Sequence, residues 1–132
     1  MRLLYMLAFI AISSLGQAQV SLKFCVEVKQ GGNCQSSSTE FDITTEGGTI
    51  TFLLLATDSL NTTNVYYKLY SILPDGTEVY LKDIQQPVDK GWTYAWQDVV
   101  FYDPGLYKVR AYDADHDNNF LCSGLVRLYT RP

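Results

Sequence analysis

The chain has 132 residues, of which 47% are hydrophobic and 14% aromatic, with a formal net charge of -4. Such a length holds one domain with a single modest core, and the acidic balance argues against bulk binding to nucleic acid. Three cysteines and one histidine, without CxxC or HxxxH spacing, give no zinc set.

Residues 1–18 read as a secretory signal peptide: Arg2 supplies a short positive region, residues 3–12 are apolar, and Gly16 and Ala18 stand at the small positions of a cleavage site. The style resembles a Gram-negative bacterial signal. The expected domain is therefore residues 19–132, exported to the periplasm, the cell surface or the medium. No later stretch is apolar long enough for a transmembrane helix.

The rest of the chain shows short alternating runs between turn signals, the all-β pattern. Residues 20–28 alternate, with Val20, Leu22, Phe24, Val26 and Val28 on the core side. After a polar loop, residues 41–44 form a short edge piece and residues 49–56 an apolar strand. Residues 65–73 and 78–84 pair across the Pro74-Asp75-Gly76 turn, whose residues suit a hairpin. Residues 93–101 form a strand in which the change of apolar parity predicts a bulge near Gln97-Asp98. Residues 107–112 and 120–129 flank an Asp- and Asn-rich hairpin loop. By the same parity, Cys122 shares the inner side with Phe120, Val126 and Leu128, and reads as a buried thiol.

Asp103-Pro104-Gly105-Leu106-Tyr107-Lys108-Val109 resembles the start of strand F in immunoglobulin-like and fibronectin type III-like sandwiches. There a tyrosine two residues before the second cysteine bonds back to the backbone and locks the corner. Val109 stands where that cysteine would be. The resemblance implies an antiparallel sandwich of seven to eight strands without the inter-sheet disulfide. Tyr67 or Leu69 would fill the place of the core tryptophan.

Parity leaves Tyr66, Lys68, Tyr70, Tyr80, Lys82, Lys108, Arg110, Tyr112, Arg127 and Tyr129 pointing outward. In the implied topology their strands are neighbours, which makes a basic, tyrosine-rich face. Tyr and Arg dominate interface hot spots, so the expected function is binding of a protein partner in the bacterial cell envelope, or self-association. Trp92, Tyr94 and Trp96 share one side of their strand. Inward they are core, the reading that small sandwich cores favour; outward they form a platform for sugar rings, as in carbohydrate-binding modules.

Asp113, Asp115 and Asp117 offer oxygen at alternate positions, a candidate calcium loop in which Asn118 replaces the required glycine. No other cofactor is implied. A hydrolase with His116 as base has no nucleophile motif behind it, and no phosphate loop is present; an enzyme is not expected. In an oxidising compartment one disulfide would form among Cys25, Cys34 and Cys122, Cys25–Cys34 being the local choice.

Overall fold

The alternating runs fold as ten strands: β1 Val20–Cys25, β2 Glu27–Lys29, β3 Asn33–Gln35, β4 Glu40–Thr44, β5 Gly48–Ala56, β6 Asn64–Ile72, β7 Glu78–Pro87, β8 Tyr94–Phe101, β9 Gly105–Asp113 and β10 Asn119–Arg131. The computed structural model describes residues 19–131; the expected signal peptide lies outside them. One sheet has the order β1-β5-β8, the other β4-β10-β9-β6-β7, and β2 and β3 form a separate hairpin. All pairs are antiparallel except β4 and β10, which run parallel from Glu40 opposite Arg127 to Thr44 opposite Arg131. The first edge of the chain thus starts in one sheet and crosses to the other.

The core fills the space between the sheets. Phe52 stands at its centre, edge-on to Phe24 and Tyr67 with ring centroids 5.4 and 5.5 Å away. Tyr67 is fully buried and takes the place of the core tryptophan. Its hydroxyl donates to Gln86 Oε1 at 2.6 Å, and Gln86 Nε2 donates to the Trp96 carbonyl at 2.7 Å. A buried phenol needs such a partner, and Gln86 ties β7 to β8 across the open side of the sandwich. Tyr107 forms the expected corner, its hydroxyl donating to the Asp103 carbonyl at 2.8 Å.

The alternation expected through residue 28 stops at Cys25. Val26 is 56% exposed, because the chain turns back there as the β2–β3 hairpin over the outside of the β1-β5-β8 sheet. A disulfide joins Cys25 to Cys34, with Cα atoms 5.5 Å apart. The hairpin explains why Cys25, Thr51 and Leu53 are buried although their neighbours Phe24, Phe52 and Leu54 face the core. Its tip carries Gly32 with φ +78°, where a Cβ would stand 2.9 Å from the Tyr94 ring.

No bulge interrupts β8: its pairing with β5 runs unbroken from Gly48–Phe101 to Leu55–Tyr94. The register shifts lie elsewhere. Leu81 is the extra residue where Leu69 faces Lys82 and Tyr70 faces Tyr80. Leu121 is the extra residue where Phe120 faces Tyr112 and Cys122 faces Ala111. One inserted residue turns the remainder of the strand to the opposite face. Phe120 therefore points outward and is 52% exposed, while Cys122 is inward and buried.

Candidate functional site

The register of the five-stranded sheet sets its outer face in rows. Gln85, Tyr66, Tyr112 and Phe120 lie side by side; then Asp83, Lys68, Arg110 and Ser123; then Tyr80, Tyr70, Lys108 and Leu125; then Glu78, Ile72, Leu106, Arg127 and Glu40, with Tyr129 beside Asp42 beyond. Nine of the residues expected on this face are on it: Tyr66, Lys68, Tyr70, Tyr80, Lys108, Arg110, Tyr112, Arg127 and Tyr129. Lys82 is not. The Leu81 bulge places it opposite inward-facing Leu69 and puts Asp83 on the outside instead.

The rows are knit by rings and cations. Tyr66 stacks on Tyr112 with centroids 5.2 Å apart, and Tyr112 meets Phe120 edge-on. The Arg110 guanidinium lies 4.7 Å from the Tyr70 centroid, and Lys68 Nζ lies 5.4 Å from that of Tyr80. These are cation–π distances. The face is less basic than its Lys and Arg suggest, because carboxylates line both edges. Arg110 donates both Nη groups to Glu78 at 2.7 and 2.9 Å, with Lys108 Nζ 3.9 Å from the same carboxylate. The Arg110 hydrogen bonds lead in holding the Glu78 carboxyl below its usual pKa. Tyr80 donates to Asp83 and Tyr129 to Glu40, each at 2.8 Å, which raises both phenols. Sequence reasoning overlooked these acids, although Glu78 has the parity of Tyr80 and was legible from it.

The second aromatic group turns outward, against the core reading. Ala95, Val99 and Phe101 take the inner side of β8, so Tyr94 and Trp96 take the outer. Tyr94 and Trp96 stack with centroids 6.0 Å apart and planes 12° from parallel. Trp92, in the turn before β8, is 49% exposed and Trp96 46%. With the end of β7 they line a groove of about 750 Å³ that also takes in Gln86, Thr93 and Gln97.

The Asp-rich loop does not assemble the arrangement expected for calcium. Asp113 is buried, accepting from the Thr62 hydroxyl at 2.6 Å and from the Asp115 amide, with its second oxygen 2.6 Å from His116 Nδ1. Asp115 accepts from the amide and hydroxyl of Thr63 at 2.7 Å, which holds its carboxyl below the usual pKa. Asp117 and Asn118 form the turn with positive φ. Among the described residues no three His, Cys, Asp or Glu side chains converge as a metal set. Asp113, with His116 on its second oxygen, and Asp115 fix the loop against Thr62 and Thr63.

No helix among the described residues is long and apolar enough to cross a membrane. No family model matches the chain, and no curated protein does. Solved structures do. An immunoglobulin-like protein from Pseudomonas aeruginosa is 11% identical with a TM-score of 0.51, over 86% of this chain and 93% of that one. A CARDB domain from Pyrococcus furiosus, solved with di-metal ions, is 9% identical with a TM-score of 0.44, over 87% of this chain and 94% of that one. A superoxide reductase from Ignicoccus hospitalis is 7% identical with a TM-score of 0.47, over 89% of this chain and 85% of that one. Together with the tyrosine corner and the strand order, the first likeness identifies the fold as an all-β, immunoglobulin-like sandwich.

Proposed function

We propose that this chain is an exported, non-enzymatic binding module of the bacterial cell envelope that docks a protein partner on the outer face of its five-stranded sheet. The observation that carries this reading is the set of aromatic and basic rows that no other element among the described residues covers. The rings offer apolar area at low entropy cost, and the exposed Leu125, Phe120 and Tyr80 stand among half-buried cations. Arg and Tyr anchors of this kind carry much of the energy of an interface.

The charge pattern favours a different protein over a second copy. Cations run through the middle strands as Lys68, Lys108, Arg110 and Arg127, while Glu40 and Asp42 line the β4 edge and Glu78 and Asp83 the β7 edge. A two-fold axis along the strands would set one acidic edge on the other, and one across the strands would set each edge on itself. A partner with acidic groups over the centre meets no such repulsion.

A photo-crosslinking residue at Leu125 in the intact envelope tests this. The expected result is one discrete hetero-adduct, lost in Lys108→Glu and not formed from a crosslinker at Val100 on the other sheet. An adduct of twice the chain mass, the same adduct from Val100, or none at all overturns the reading.

A further inference from the structure

The groove between β7 and β8 lies on a different side of the molecule from the docking face and does not depend on it. Its volume of about 750 Å³ falls within the range of small-ligand sites. Three aromatic residues line it with Gln86, Thr93 and Gln97, and among the described residues no acidic or basic side chain is in its wall. In a chain with 24 charged side chains from 10 Lys and Arg and 14 Asp and Glu, that neutrality selects against charged ligands.

Two of the rings, Tyr94 and Trp96, are held in place. The disulfide ties the hairpin over the sheet, the hairpin tip at Gly32 lies against Tyr94, and Tyr94 stacks on Trp96. Beneath them Gln86 has one oxygen taken by Tyr67 and one proton given to the Trp96 carbonyl. Trp96 thus has one ring face engaged by Tyr94 while nearly half its surface stays open. Orientation is set before any ligand arrives, which lowers the entropy cost of binding.

We propose that this groove is a binding site for neutral sugar rings of a glycan. The electron-rich faces of Trp92 and Trp96 suit the axial C–H groups of a pyranose, by the same quadrupole that orients aromatic pairs. Thr93 and Gln97 each present groups that both donate and accept, as sugar hydroxyls do. A proline-rich peptide would also stack on the rings, but its polar atoms are carbonyl acceptors, which use only the donor half of that set.

Trp92 and Trp96 are the 2 tryptophans of the chain, so tryptophan emission reports on the groove alone. The mature protein is titrated with neutral glucan, xylan and galactan hexasaccharides, with an oligogalacturonate, and with a polyproline peptide. A saturable change at millimolar concentration or below is expected with a neutral hexasaccharide. In Trp96→Ala, followed through Trp92 and by calorimetry, affinity should fall about tenfold or more. In Leu125→Asp it should be unchanged. Gln97→Ala, at a partly buried site, serves if Trp96→Ala does not fold. The proposal is overturned by the absence of saturable binding to every neutral sugar, by equal affinity in both groove variants, or by tighter binding of the oligogalacturonate or the peptide.

Discussion

Gln86 accepts from the Tyr67 hydroxyl and donates to the Trp96 carbonyl, so its removal leaves a buried phenol without a partner. Gln86→Leu should cost about 2–3 kcal/mol in urea unfolding, the lost bonds together with the orphaned hydroxyl. Tyr67→Phe should be nearly neutral once Gln86 is already Leu, and a double-mutant cycle measures that coupling. Additive costs would show that the bridge does not act as a unit. Cys122 is governed by the same interior. Burial pushes its thiol up to about 12, which leaves almost no thiolate to react. Iodoacetamide at mildly alkaline pH should leave the native protein unlabelled and add one group to the urea-unfolded chain; rapid native labelling would contradict that burial.

At the scale of elements, the β2–β3 hairpin is held by one short disulfide loop. Cys25→Ser with Cys34→Ser should lower stability by about 2–3 kcal/mol on the chain-entropy account. Amide exchange should rise across residues 26–38 and at Leu53, and stay unchanged in β9 and β10, because opening is local where few apolar contacts hold an element. Uniform loosening of both sheets would refute that locality. The hairpin also marks where the sequence ceased to be legible. Val26 and Val28 continue the alternation of β1, so nothing in the pattern shows the reversal after Cys25. The corner at Tyr107 was readable because the whole motif is local. Parity was sound along β6 and β9, which have neighbours on both sides. It failed at Lys82, after the Leu81 bulge, and at Phe120, before the Leu121 bulge, because a bulge is a property of the pair of strands and not of either run alone. It failed on β8 for another reason: Trp and Tyr are as apolar on an exposed groove as in a core, and hydrophobicity does not tell which side a groove is on.

The whole molecule answers to pH through its carboxylates. Glu78, held by Arg110, and Asp75 and Asp115, held by Thr77 and Thr63, all lie below their usual pKa in the fold. A depressed carboxyl stabilises the fold above its unfolded pKa, and that stabilisation is lost as pH falls through the folded value. Urea midpoints should therefore be level from neutrality to about pH 5 and decline below about pH 4. Tyr80 and Tyr129 are raised, so their contribution is full below about pH 10 and is lost above it. A midpoint that rises on acidification would rule this out. The one parallel pairing among the described residues, β4 with β10, has a mechanical consequence. Tension that has passed β1 and the β2–β3 hairpin draws β4 backward from its first residues and β10 forward from its last. Their hydrogen bonds, from Glu40–Arg127 to Thr44–Arg131, then lie across the pull and share the load, where a hairpin pulled at its open end would unzip one bond at a time. A chain tethered at one end and loaded at the other would meet force with its strongest geometry, a clasp that slides only when the whole row gives way.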